Sequence, residues 1–163
     1  MCDYSLGHLK NRLAKSGEKL SFFKCMTGSV GLASPAQALS YNNWRRKEER
    51  GIAHPWAGLM GLDNNGPAIC AVCIPPGAQL QLSNIPSLMQ ETLRIGPGVA
   101  VTFIQLSAQE NVHRDALMFP GGKTLLLAKL GCDYHVEDVV VEVVSTEGAT
   151  EREQVAEAVY SNR

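Results

Sequence analysis

Cys2 stands directly behind the initiator methionine, in the run Met1-Cys2-Asp3-Tyr4-Ser5. A small second residue permits removal of Met1, which leaves one residue carrying both a thiol and a free α-amine. The amine titrates at about pH 8 and the thiol slightly above it, so either group can act as nucleophile, base or metal ligand near neutrality. A docked terminus would put that chemistry to use.

Three other spacings bring chemically useful side chains together. Cys70-Ala71-Val72-Cys73 has C-x-x-C spacing, but it lies in an apolar run, residues 69–74, that reads as a strand. Side chains three apart on a strand leave opposite faces, so one metal ion does not easily take both thiols. Two small core hydrophobes are the plainer reading of that pair. Cys73, just before Pro75-Pro76-Gly77, is the thiol placed to open onto a pocket. Cys132-Asp133-Tyr134-His135 has C-x-x-H spacing in what reads as a turn, yet no second close pair exists to complete a tetrahedral site. An exposed hairpin turn is the plainer reading of it. In His113-Arg114-Asp115, an extended backbone would put the imidazole and the carboxylate on one side. A carboxylate beside a histidine orients its tautomer and raises its basicity, for ligation or for proton transfer. A polar strand end would present the same letters. His8 and His54 read as isolated surface histidines.

The elements that must hold these residues are mostly strands. Residues 18–26, 69–74, 78–82, 99–106, 115–119, 123–130 and 136–144 carry the alternation or β-branched runs of strands. Pro120-Gly121-Gly122 marks a hairpin between two of them, and Gly131-Cys132-Asp133 reads as the turn into the last. Ser34-Pro35-Ala36-Gln37 starts a helix, with Ser34 as cap, Pro35 in the first turn and Gln37 completing a capping box. That helix would carry Leu39, Tyr41 and Trp44, then a solvated charged end, residues 45–50, stopped by Gly51. Residues 1–15 place Leu6, Leu9 and Leu13 at near-helical spacing. Residues 51–68, with four glycines and two prolines, read as a long loop. Thr150-Glu151-Arg152-Glu153 offers a second capping box for a terminal helix or tail over residues 146–163. The pattern predicts one mainly β domain, residues 1–145. It would be a small barrel or sandwich of six to eight strands with one or two flanking helices and a helix-and-loop insertion near residues 34–68.

Composition narrows the partners. Fifteen basic and sixteen acidic residues give a formal charge of −1 over 163 residues, so no global field draws nucleic acid or an anionic membrane. No apolar stretch is long enough for a bilayer span, and no secretory signal is visible, so a cytoplasmic location is expected. In that setting the five cysteines are expected as reduced thiols. The patterns of dinucleotide sites, P-loops and serine hydrolases do not occur. Exposed strand edges leave room for a homo-oligomer or for a place as subunit in a larger complex.

The opening Met-Cys-Asp-Tyr-Ser-Leu, the stretch Ala71-Val72-Cys73-Ile74-Pro75-Pro76-Gly77 and the stretch His113 through Pro120 together resemble a family of small uncharacterised bacterial proteins. Those proteins open with MCDYSL, carry AVC before a Pro-Gly turn, and carry H-x-DALxFP before a Leu-rich strand. The likeness runs from residue 1 to about 145; residues 35–60 and the C-terminal tail look like additions. It supplies no activity, but it implies that Cys2, Cys73, His113 and Asp115 belong together, and it leaves out Cys25, Cys70, Cys132 and His135.

The reading that follows is a mononuclear metal site of Cys2, Cys73 and His113, with Asp115 as fourth ligand or as a group behind the ligands. Two thiolates and an imidazole suit zinc, copper or iron and disfavour magnesium and calcium. An enzymatic alternative makes Cys2 the nucleophile of a hydrolase or transferase, with His113 as base and Asp115 orienting it. A third reading is a non-catalytic β domain that serves as a partner-binding module.

Overall fold

The computed structural model describes residues 6, 9–50, 66–109 and 112–147. Within them the chain is mainly β, with nine strands and three helices. β1 (Lys10–Leu13) and β4 (Cys70–Cys73) form a parallel pair in which Leu13 faces Cys73. The other strands are β2 (Lys19–Lys24), β3 (Val30–Ala33), β5 (Gln79–Ser83), β6 (Val99–Gln105), β7 (Asp115–Met118), β8 (Thr124–Leu126) and β9 (Val140–Ser145). They make one sheet in the order β3-β2-β9-β5-β6-β7-β8, antiparallel at every pairing. That sheet curls into a half-barrel.

Alternation explains the central strands. Leu80 and Leu82 of β5 are fully buried, while Gln79 and Ser83 are exposed. Their partners Val101 of β6 and Val141 and Val143 of β9 bury the same face. Each such side chain contributes about 1.5–3 kcal/mol by leaving water. The hairpin expected at Pro120 joins β7 to β8. Gly121 and Gly122 both take φ of +84°, which other residues reach only with strain.

The β2–β3 hairpin is covered on both faces. Phe22 and Leu32, paired across it, enter the main core. Phe23 turns the other way into a second cluster with Leu6, Cys25, Ala33, Ala38, Ile69 and Ala71, beneath α1 (Pro35–Glu49). Gly31, opposite Phe23, makes room for its ring: a Cβ there would lie 2.8 Å from the ring edge and 2.9 Å from Leu6.

α1 begins where Ser34 and Pro35 place it, but the expected capping box is absent. Ser34 makes no side-chain cap bond, and Gln37 Oε1 instead accepts from the Cys70 N–H at 3.3 Å. Its inward residues are Ala38, Asn42 and Arg45, whereas Leu39 faces solvent. The reason lies on β2. Pairing with β9 ends at Ser21, which leaves the same edge of the strand open beyond that residue. There the Asn42 amide donates to the Phe22 carbonyl (3.0 Å) and accepts from the Lys24 N–H (3.2 Å), standing in for a neighbouring strand.

Four local expectations are corrected. Residues 10–13 are strand rather than helix, because the parallel ladder to β4 supplies their hydrogen bonds. Residues 127–130 leave the expected strand and open α3 (Leu127–Asp133), which buries Leu127 and Leu130 one turn apart. The turn expected at Gly131-Cys132-Asp133 is therefore the end of α3, and β9 starts only at Val140. α2 (Ser87–Leu93), which follows β5 and precedes β6 in the chain and buries Met89 in the main core, has no sign in the periodicity. Of the loop expected over 51–68, residues 51–65 lie outside the described residues, as does the expected C-terminal helix, and residues 66–68 are neither helix nor strand.

Asn42→Leu should therefore destabilise the protein by about 1–3 kcal/mol for each of the two backbone groups it orphans. Urea unfolding measures this; a variant as stable as the parent would show that the edge of β2 does not need the amide.

Candidate functional site

The seven-stranded sheet ends at β3 on one side and at β8 on the other. Curling brings these ends toward one another, and α3 packs against β3, β7 and β8 across the seam. β4 lies against β3. A small cavity of about 10 Å³, room for roughly one water, sits in this seam. Its walls come from Leu6, from β3, from β4 and the residue after it, from Phe103 of β6, from Asp115 of β7 and from Leu127 of α3.

Cys73 and Asp115, far apart in sequence, line that one cavity. Cys73 ends β4 and is buried. Asp115 opens β7 and is also buried; Gln105, its cross-strand partner, donates Nε2–H to Oδ1 at 2.9 Å. His113 lies two residues before Asp115, half-buried, in the segment leading into β7. Cys2 lies outside the described residues, as do His8 and His54.

Cys73 is disulfide-bonded, contrary to the expectation that all five cysteines would be free thiols. Cys25, Cys70 and Cys132 are free, so the C-x-x-C pair is not bridged to itself. Among the described residues no group of three or more His, Cys, Asp or Glu side chains is placed to hold a metal ion. A sulfur in a disulfide has no thiolate to offer, so Cys73 is not a ligand in this state.

The remaining cysteines divide by environment. Cys25, in the second core cluster, is 4% exposed, and burial raises its thiol pKa to about 11 against a weaker opposing hydrogen bond from Tyr41. Burial also raises the Tyr41 phenol, with Cys25 adding to the effect. Cys132 and His135 are exposed at the end of α3 and in the loop after it. They line a larger cleft, about 570 Å³, between β2, α1 and the 131–138 segment.

In that cleft the charged end of α1 departs from the solvated face expected for it. Arg45 is 6% exposed and is paired with Glu49 and with Glu137 (3.3 Å), while Arg46 meets the other Glu137 oxygen at 3.3 Å. The Arg45–Glu49 spacing of four was legible; Glu137 was not, because nothing local links it to α1. Gln105 was missed as the partner of Asp115 for the same reason. The cleft is large enough for a small molecule, but its arginines are already engaged with carboxylates of the protein.

No family model, no curated protein and no solved structure matches the chain. Among the described residues no helix is long and apolar enough to cross a membrane.

Cys25 provides a pH test. Between about pH 9 and pH 11 the unfolded chain ionises this thiol while the folded chain keeps its proton, so the unfolded state binds fewer protons and stability falls as pH rises through that window. Cys25→Ala should flatten that part of the decline in urea midpoints. At pH 8 N-ethylmaleimide should label Cys70 and Cys132 well before Cys25. Equal labelling rates would show that the second core cluster opens readily.

Proposed function

We propose that this is a small metal-binding protein whose site is built, in the reduced state, from Cys2, Cys73 and His113, with Asp115 as fourth ligand or behind the imidazole. The reading rests on one observation: Cys73 and Asp115, drawn from two motifs that the sequence sets far apart, line the same internal cavity. Leu6 lines it as well, four residues after Cys2. The cavity walls are otherwise apolar, and an apolar shell around a polar centre strengthens its electrostatic interactions and limits access by water. Gln105 would hold the Asp115 carboxylate in a fixed orientation.

The chemistry of the set favours zinc, copper or iron. Soft thiolates with an imidazole select these ions over magnesium or calcium, and three protein ligands leave one position for Asp115 or for an exogenous group. Both sulfurs must be thiolates for this, so the metal form belongs to a reducing compartment such as the cytoplasm.

Elemental analysis of untagged protein purified under reducing conditions tests the proposal. About one transition metal per chain is expected. Cys73→Ser and His113→Ala should each lose most of it, while Asp115→Ala and Gln105→Ala should weaken binding by roughly 10- to 100-fold. Full occupancy in Cys73→Ser or His113→Ala, with the fold intact by circular dichroism, would overturn the proposal.

A further inference from the structure

The large cleft between β2, the end of α1 and residues 131–138 holds none of the residues assigned to the metal site. At about 570 Å³ it has the size of a small-molecule site. Arg45 lines it and is only 6% exposed, yet part of its guanidinium is unused. Nη1 donates to Glu49 and Nη2 to Glu137, whereas the buried Nε–H has no acceptor among the described residues. A buried donor without an acceptor carries a desolvation cost that the fold does not offset, which calls for an explanation in function. We propose that the cleft binds a small monocarboxylic acid, whose carboxylate is held by Arg45 in place of Glu49, with Nε–H as one of its donors.

Glu49 is a weak occupant of that place. It lies one turn further along α1, its side chain is 52% exposed, and a single oxygen makes the contact. An exposed pair at this spacing contributes little, because water screens it and the side chain gives up freedom to make it. With Glu49 released, the guanidinium turns about its Cδ–Nε bond and offers Nε–H and the neighbouring terminal nitrogen to the cleft as a fork. A carboxylate not tied to the helix lies in the guanidinium plane and accepts two parallel bonds, the stronger arrangement. Glu137 leaves room for this turn. One of its oxygens meets Arg45 and the other Arg46, each at 3.3 Å, long for charge-assisted bonds.

Charge sets the class of ligand. Lys24 also lines the cleft; its Nζ donates to the Gly131 carbonyl at 3.3 Å and is paired with no carboxylate among the described residues. Lys24, Arg45 and Arg46 set against Glu49 and Glu137 leave one positive charge in excess, which one monoanion balances. Asp133 and Asp138 line the cleft too, and both are exposed, so the approach to it is negatively charged. That approach disfavours a phosphate dianion or a polycarboxylate more than it disfavours a single carboxylate. Tyr134, half-buried in the same wall, gives an aromatic body something to pack against.

The test titrates the full, isotopically labelled chain with sodium benzoate and follows arginine Nε–H and backbone amide signals by two-dimensional NMR. A saturable shift of the Arg45 Nε–H signal and of the amides of residues 131–137 is expected. Benzamide, the neutral counterpart, should produce none, and phenyl phosphate should bind more weakly than benzoate. Glu49→Gln, which removes the competing carboxylate from an exposed position, should bind benzoate roughly 2- to 5-fold more tightly than the parent. Arg45→Lys keeps the charge but loses the fork, and should bind benzoate about tenfold more weakly or worse. A purely structural Arg45–Glu49 pair would not tighten binding when Glu49 is neutralised, so the proposal stands or falls on Glu49→Gln even where Arg45→Lys does not fold. An unmoved Arg45 Nε–H signal in both the parent and Glu49→Gln, equal affinities in those two proteins, or equal shifts with benzamide would each overturn the proposal. Tighter binding of phenyl phosphate than of benzoate would overturn the carboxylate assignment.

Discussion

The sheet is a single sheet because of β9. This last described strand pairs with β2 on one side and with β5 on the other. Without it the β2–β3 hairpin and the β5–β8 strands would be separate pieces, each with an open edge. The pairing joins residues 19–21 to residues 140–142, nearly the full described length. Closing so long a loop costs entropy before any contact offsets it, so this ladder must form against the steepest opposition in the fold. Val141 and Val143, both fully buried, supply the compensating burial. The seam depends on this strand as well, because β3 and β7 reach the same cavity only when all seven strands are joined and curled.

The fold was legible wherever the signal was local. Leu80 and Leu82 alternate with glutamines, and the strand is where that alternation puts it. Pro120-Gly121-Gly122 marks its hairpin because glycine takes the positive φ that the turn requires. Pro35 marks the helix start for a comparable reason. The failures share a cause. Residues 10–13 became a strand through pairing with residues 70–73, a partner no window contains. Leu127 and Leu130 fit a strand or a helix equally well over so short a run, and the seam decided between them. Arg45 is buried because Glu137 comes to meet it.

Of the candidate site, the residue types were legible and the distances were not. The motifs named Cys73 and Asp115, and the curl of the sheet put both on one cavity wall. Nothing in the letters revealed that Gln105 stands opposite Asp115, since that follows from strand register alone. Cys73 is disulfide-bonded where the expected compartment pointed to a free thiol, because a rule about compartments carries no information about which sulfurs approach each other. The C-x-x-C spacing, by contrast, was a poor guide for a reason the sequence did contain: on a strand the two thiols diverge.

The Asn42 amide has a consequence away from β2. A helix that settles on a sheet through an oily stripe can turn or slide by a fraction of a residue at small cost, whereas two directed bonds from one side chain index α1 to the strand like a key in a slot. Arg45 rides on the same helix, one turn further along, so its aim toward Glu137 is inherited from that indexing. The shape of the large cleft is thus set in part by backbone groups of a strand that its charged residues do not bond.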